Sequence, residues 1–209
     1  MRIVLASNNA KKLAELQALF AGLPLELVTQ GTLGIPEAEE PFATFFENGL
    51  AKARHAARLS GLPALADDSG LCVDALGGAP GVASAHYAPS SGAVGGREAR
   101  RRAQDEANNA LLLQRLAGTP DRRAAFVCTL VALRHADDPE PLLACGRWEG
   151  EILHAARGRG GFGYDPLVFI PALGQTVAEL DAATKNRLSH RALAAARLRE
   201  RLREDWRLG

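Results

Sequence analysis

Short apolar runs alternating with stretches of helical spacing set the architecture of this 209-residue chain. Ile3-Val4-Leu5-Ala6 leads into polar Ser7-Asn8-Asn9, and Leu13, Leu16 and Phe20 follow at helical intervals. Four apolar residues are too few for a buried helix and suit a strand, so the opening reads strand, loop, helix. Leu25-Glu26-Leu27-Val28 predicts a second strand, and residues 31–41, with Gly34 and Pro36, an irregular acidic loop that contains Glu39-Glu40. Helix resumes near Phe45. Phe46, Leu50, Ala53 and Ala57 are expected to form its buried stripe, with Asn48 and Lys52 four apart on a neighbouring face, and Gly61-Leu62-Pro63 should stop it. Leu62-Pro63-Ala64-Leu65-Ala66 is a third short strand, and Asp67-Asp68-Ser69-Gly70 is expected to be the glycine turn at its end.

Further on, Gly77-Gly78-Ala79-Pro80-Gly81 reads as loop and residues 97–116 as a long helix. Residues 125–133 and 142–152 read as strands of a hairpin, because Asp137-Asp138-Pro139-Glu140-Pro141 is a strong turn. A glycine-rich loop at 157–163, a strand at 167–170 and a helix from about 189 to 205 complete the chain. Interleaved helices and strands with an antiparallel portion predict an α/β fold on a mixed sheet.

Composition narrows the function classes. With 47% hydrophobic residues and a formal net charge of +1, the chain can bury a substantial core as one large domain or two lobes. No apolar run approaches the roughly 20 residues that span a bilayer, and the first six residues are too short for a signal segment, so no membrane partner and a cytoplasmic location are expected. Near-neutral charge argues against a dedicated nucleic-acid binder. Cys72, Cys128 and Cys145 are odd in number and widely spaced, and read as reduced core residues. Only four of the 25 basic residues are lysine, namely Lys11, Lys12, Lys52 and Lys185. A compact ammonium binds phosphate as a point charge, and a forked guanidinium does not replace it.

Five segments carry chemistry. Adjacent carboxylates at Asp67-Asp68 repel unless a cation or shared proton relieves them, which suits metal binding or proton transfer; a solvated turn is the alternative. Ser7-Asn8-Asn9-Ala10-Lys11-Lys12 opens a helix after a strand, where backbone N–H groups and the dipole attract an anion; simple capping by Asn, with lysines in solvent, is the alternative. Glu39 and Glu40 with Asp67 and Asp68 supply carboxylates from two segments, as a water-retaining magnesium site sharing substrate phosphates requires, although acidic loops are usually just solvated. Gly160-Gly161-Phe162-Gly163-Tyr164-Asp165-Pro166 offers aromatic rings and a carboxylate to a base, where glycine turns more often serve sterics. Lys185-Asn186 and Ser189-His190-Arg191 gather donors near an expected helix N-terminus.

Together these segments resemble the inosine triphosphate pyrophosphatase family, bacterial type, over nearly the whole chain. The likeness rests on Ser7-Asn8-Asn9 with Lys11-Lys12, Thr44-Phe45-Phe46-Glu47-Asn48 with Lys52-Ala53, Ala66-Asp67-Asp68-Ser69-Gly70-Leu71, Gly77-Gly78 with Pro80-Gly81-Val82, Gly161-Phe162-Gly163-Tyr164-Asp165-Pro166 and Ser189-His190-Arg191. The chain departs from the family pattern at Asn8, Phe42, Gly49 and His86.

What the resemblance implies is an elongated mixed sheet with flanking helices, in one domain of two lobes around a central active-site cleft. It also implies a homodimer, Mg2+ dependence, and hydrolysis of dITP, ITP or XTP to the monophosphate and pyrophosphate. By the resemblance Asp68 is proton acceptor and metal ligand, with Glu40 completing the metal site. Ser7, Asn8, Asn9, Ala10, Lys11, Lys12, Lys52 and Ser69 would contact phosphates. Phe162, Gly163, Tyr164, Asp165, Lys185, His190 and Arg191 would hold the nucleotide, mainly its base, with His190 and Arg191 the candidate donors to a 6-oxo group. The competing readings are a non-catalytic purine nucleotide sensor and a pyrophosphatase for other modified triphosphates.

Overall fold

The computed structural model describes residues 1–89, 92 and 95–208. In chain order the elements are β1 (Arg2–Leu5), α1 (Ala10–Leu19), β2 (Glu26–Thr29), α2 (Phe45–Ser60), β3 (Ala64–Val73), α3 (Arg97–Arg115), β4 (Arg123–Leu133), β5 (Leu142–Ile152), β6 (Val168–Ile170), β7 (Gln175–Thr176), α4 (Ala182–Leu188) and α5 (His190–Glu204). Among the described residues the strands form one seven-stranded sheet in the order β2-β1-β3-β4-β5-β6-β7. β1 pairs in parallel with β2 and β3, whereas β6 is antiparallel to both β5 and β7. The sheet is therefore mixed, as the alternating pattern predicts. No helix among the described residues is long and apolar enough to cross a membrane.

The chain divides into two compact units, one of residues 1–68, 128–147 and 186–209, the other of 69–127 and 148–185. In the first, the strands are covered on both faces, and residue parity says by what. Ile3, Leu5, Leu65, Cys128, Leu130 and Ala132 pack with Leu16 and Phe20 of α1 and Ala194, Ala195, Leu198 and Leu202 of α5. Val4, Ala6, Ala64, Ala66, Val131 and Leu133 pack with Ala53, Ala56 and Ala57 of α2. Successive residues of a strand point to opposite faces, so β1, β3 and β4 each feed both cores alternately. Gly146 of β5 lets α5 lie close: a Cβ there would run into the His190 carbonyl and the Ala194 amide.

Two expectations fail here. Asp67-Asp68-Ser69-Gly70 is not a turn, because β3 continues through it to Val73. Turn propensity is weak against a strand that lies inside a sheet: β3 stands between β1, which pairs with it at Ala64 and Leu65, and β4. The expected stripe of α2 is also rotated: Phe46 is 39% exposed, while Asn48 and Lys52 are buried beside Ala53, Ala56 and Ala57. Asn48 is drawn inward by the backbone of Phe42, donating to its carbonyl at 3.1 Å and accepting its N–H at 3.0 Å. Carboxylates draw Lys52 inward.

Along its whole length β5 alternates buried and exposed side chains, so one of its faces is solvated. Lys185 does not share a helix N-terminus with His190 as expected. It belongs to the short α4, while Ser189 caps α5 by accepting the Ala192 N–H at 3.1 Å.

Candidate active site

The parity that builds the core also separates the two aspartates. Asp67 continues the series of Leu65 toward α1 and α5, and Asp68 continues the series of Ala64 and Ala66 toward α2. Their mutual repulsion is relieved by opposite orientation and by separate cations.

Asp67, 1% exposed, is held by two of these. Lys12 Nζ reaches its Oδ1 at 2.8 Å and Arg191 Nε its Oδ2 at 2.5 Å. Arg191 in turn donates from Nη1 to Glu15 at 2.5 Å. Lys12 and Glu15, three apart on α1, thus close a chain of alternating charge around a buried carboxylate. Burial alone would raise the Asp67 pKa, but Arg191 and Lys12 overcome it and hold the carboxyl well below its usual range.

Asp68 is set differently. Its Oδ1 accepts from Lys52 Nζ at 2.6 Å, and its Oδ2 is buried with no hydrogen-bond partner among the described residues. Burial pushes its pKa up to about 6 against the opposing charge of Lys52, and the Glu40 carboxylate adds to the rise. Lys52 also binds Glu40 Oε2 at 3.0 Å, so Asp68 and Glu40 share one ammonium. Burial would lower the Lys52 pKa, yet Asp68 and Glu40 raise it, and the side chain stays charged. Both Lys12 Nζ and Lys52 Nζ lie 3.3 Å from the Asp67 carbonyl oxygen. Two ammonium groups thereby converge on one point of β3, beside a carboxylate whose pKa burial pushes up to about 6.

At the α1 N-terminus the capping alternative is realised in part. Asn9 Oδ1 accepts the N–H groups of Lys11 and Lys12, so those two donors are already used, and Ser7 Oγ accepts the Asn9 N–H at 3.2 Å. Asn8 Nδ2 donates to Glu37 at 3.1 Å. Ala10 opens the helix, Lys11 is exposed, and Lys12 turns inward to Asp67 rather than into solvent. A phosphate at this end would be met by side chains more than by free backbone amides.

A divalent cation fits the carboxylates of this unit. The buried Asp68 Oδ2 has a lone pair to offer, and Glu40, 47% exposed, is close by on the shared lysine. Among the described residues no group of three or more His, Cys, Asp or Glu forms a metal cage. One or two carboxylates with water and substrate phosphates are the ordinary donor set for Mg2+.

The second unit holds the other candidate cluster, with Ser69 half-buried at its start. Asp165, 3% exposed, accepts from Lys185 Nζ and from the Phe162 N–H, both at 2.9 Å. Lys185 Nζ lies 4.5 Å from the centre of the Phe162 ring. Gly161, at φ +73°, leaves room for the Asp165 carboxylate, which a Cβ would strike. Tyr164 is buried and donates its hydroxyl to the Ser84 carbonyl at 3.0 Å.

His190 is the first residue of α5 and is 6% exposed; Arg191, 2% exposed, is an interior ion-pair partner of Asp67 and Glu15. Glu15 was not foreseen. The signal was its position three residues after Lys12 on the face that also carries Leu16 and Leu19, which only the identity of Arg191 as a buried partner makes meaningful.

Comparison with known proteins places these features in context. The profile of the Ham1 family matches residues 3–201. The chain is 69% identical to a protein of Methylibium petroleiphilum named dITP/XTP pyrophosphatase, covering 99% of each, and 68% identical to one of the same name from Leptothrix cholodnii, covering 100% of each. Its fold is similar to that of a solved HAM1 protein from Coxiella burnetii, with a TM-score of 0.87, 44% identity and coverage of 98% and 99%. It is also similar to a structure from Mycobacterium abscessus titled nucleoside-triphosphatase / dITP/XTP pyrophosphatase, with a TM-score of 0.72, 40% identity and coverage of 95% and 98%.

Proposed function

Because this chain belongs to the Ham1 family, we infer that it is a nucleoside triphosphate pyrophosphatase that hydrolyses non-canonical purine triphosphates such as dITP and XTP. The observation that carries the reading beyond the relatives' names is Asp68. One oxygen is fixed by Lys52, the other is buried without a hydrogen-bond partner among the described residues, and the pKa is pushed up to about 6. That is a base able to take a proton near neutral pH.

In the proposed reaction Asp68 accepts the proton of a water whose oxygen bonds to the α-phosphorus. The bond from that phosphorus to the bridging oxygen breaks, and its electron pair leaves with pyrophosphate. Lys12 and Lys52 neutralise charge growing on the leaving group, where preorganised cations act most strongly. A divalent cation, for which Mg2+ is proposed, would be held by Asp68 and Glu40 and would supply further neutralisation of the phosphates. Ser7, Asn8, Asn9, Ala10, Lys11 and Ser69 are assigned to the phosphates. Phe162, Gly163, Tyr164, Asp165, Lys185 and His190 are assigned to the nucleoside. For Arg191 the ion pairs favour support of Asp67 over direct contact with the base. A homodimer and cytoplasmic residence complete the proposal.

A panel of dITP, ITP, XTP, dATP and dGTP, assayed with Mg2+ for pyrophosphate and orthophosphate separately, tests it. The 6-oxo substrates lacking the 2-amino group, with XTP, should turn over at least about tenfold faster than dATP, with pyrophosphate as product. Orthophosphate release, or binding without turnover, would reject the reading.

The pH dependence follows from Asp68. Catalysis requires its ionised form, so kcat/KM should rise with pH through an apparent pKa of about 6 and level off above it. At saturating divalent cation the limb should move to lower pH, since the cation favours the carboxylate. Lys52→Met, which removes the opposing charge, should move it upward. A flat profile from pH 5 to 8 on an intact protein would remove Asp68 from the role.

A further inference from the structure

The loop that carries Phe162 is gripped by α3 at every fourth residue. The Arg101 guanidinium carbon lies 5.1 Å from the centre of the Phe162 ring. Asp105 Oδ2 accepts the Gly163 N–H at 3.0 Å, and Asn109 Nδ2 donates to the Gly163 carbonyl at 3.0 Å. Residues at i, i+4 and i+8 share one helix face, so a single polar stripe of α3 meets the loop. A neighbouring stripe, Gln104 and Asn108, holds another segment: Gln104 donates to the Ala88 carbonyl, and Asn108 accepts the Ala88 N–H and donates to the carbonyls of Ser84 and Ala85. The polar side chains of α3 therefore bind loop backbone on two sides.

Gly163 lies at φ +61°, and both of its polar backbone groups are bound by side chains of α3. The residue on its N-terminal side is Phe162, whose own N–H is taken by Asp165. The ring is thus set between two anchors, Asp165 within the loop and the Asp105–Asn109 pair on the helix. We infer that Asp105 and Asn109 are positioning residues for nucleotide binding: they fix the Gly163 backbone and thereby the plane that the Phe162 ring presents to a purine. This rests on the assignment of Phe162 to the base. Stacking on an aromatic ring tolerates little tilt, so loss of either anchor weakens binding of substrate while the proton transfer assigned to Asp68 is untouched.

Steady-state kinetics with dITP, backed by thermal melts, test the inference. Asp105→Ala and Asn109→Asp should each raise KM about tenfold with kcat within about twofold of the parent, as removal of one bond to a charged or buried partner would. Asp105→Asn keeps an acceptor for the Gly163 N–H and should restore a KM near the parent's. Phe162→Ala should raise KM by at least as much, and adding Asp105→Ala to it should raise KM no further, because both losses pass through the ring. If Phe162→Ala leaves KM unchanged, the base assignment fails and the inference with it. If Phe162→Ala raises KM but the α3 variants melt like the parent and keep its KM, the base assignment stands and the inference fails. A fall in melting temperature with no change in KM also overturns it, since that marks a purely structural tie.

Discussion

Asp68→Asn will lower kcat for dITP roughly 10³- to 10⁴-fold while nucleotide binding persists. The amide is the same size as the carboxyl and its oxygen can still accept from Lys52 Nζ, which lies 2.6 Å from Oδ1 in the parent. What it cannot do is take a proton from water. The loss should therefore fall on kcat, with substrate affinity, measured by equilibrium titration of the nucleotide, retained within about tenfold. Loss of cation affinity would accompany it, because the amide carries no charge to offer from Oδ2. Turnover within about tenfold of the parent would exclude Asp68 as the base. Glu40→Gln provides the contrast: it removes a carboxylate but not the base, so raising the cation concentration should recover much of its activity.

Arg191→Met is expected to destabilise the protein by roughly 3–5 kcal/mol, the usual consequence of stripping a partner from a buried ion pair. Met fills similar volume, so the effect isolates charge. Asp67, 1% exposed, would keep Lys12 but lose the closer of its two cations, and Glu15 would lose its partner as well. The pH dependence gives the sign. In the parent the Asp67 pKa is depressed, so its contribution is present above the unfolded carboxyl value and is lost as pH falls through the folded value. Without Arg191 the carboxyl rises, and the penalty should be largest at neutral pH and shrink in acid. Thermal unfolding at pH 4.5 and 7.5 checks this. Asp67→Asn combined with Arg191→Met should be less destabilising than the sum of the single changes. A fall of under about 1 kcal/mol at neutral pH would mean that the ion pair does not hold Asp67.

Most of the fold was legible because the strands of the first unit are short, apolar and separated by helices of ordinary length. Apolar runs located β1, β2, β3 and β4, and the aspartate- and proline-rich connection at 137–141 located the join between β4 and β5. Misreadings arose where tertiary partners outweigh local preference. Asp67 to Gly70 favour a turn in isolation, yet β3 lies between β1 and β4 in the sheet order and runs on to Val73. Asn48 and Lys52 look like surface residues of α2, but the backbone of Phe42 and the carboxylates of Asp68 and Glu40 pull them inward and leave Phe46 exposed. The candidate site was legible where residue type limits the chemistry: Lys12, Lys52 and Lys185 pair with carboxylates at the segments singled out. Glu15, Asp105 and Asn109 were not legible, because helical spacing shows only which residues share a face, not what that face meets.

The pleat of β3 makes codon count, rather than side-chain chemistry, the stringent constraint on this stretch. Deletion of Ala66 would remove a side chain no larger than a methyl group, yet the lost backbone unit would carry Asp67 to the α2 face and Asp68 to the side of α1 and α5. The same two letters would still stand side by side in the gene product with their environments exchanged. A lineage can explore substitutions along this strand one at a time, but an in-frame single-codon gain or loss before Asp67 rewrites both roles at once.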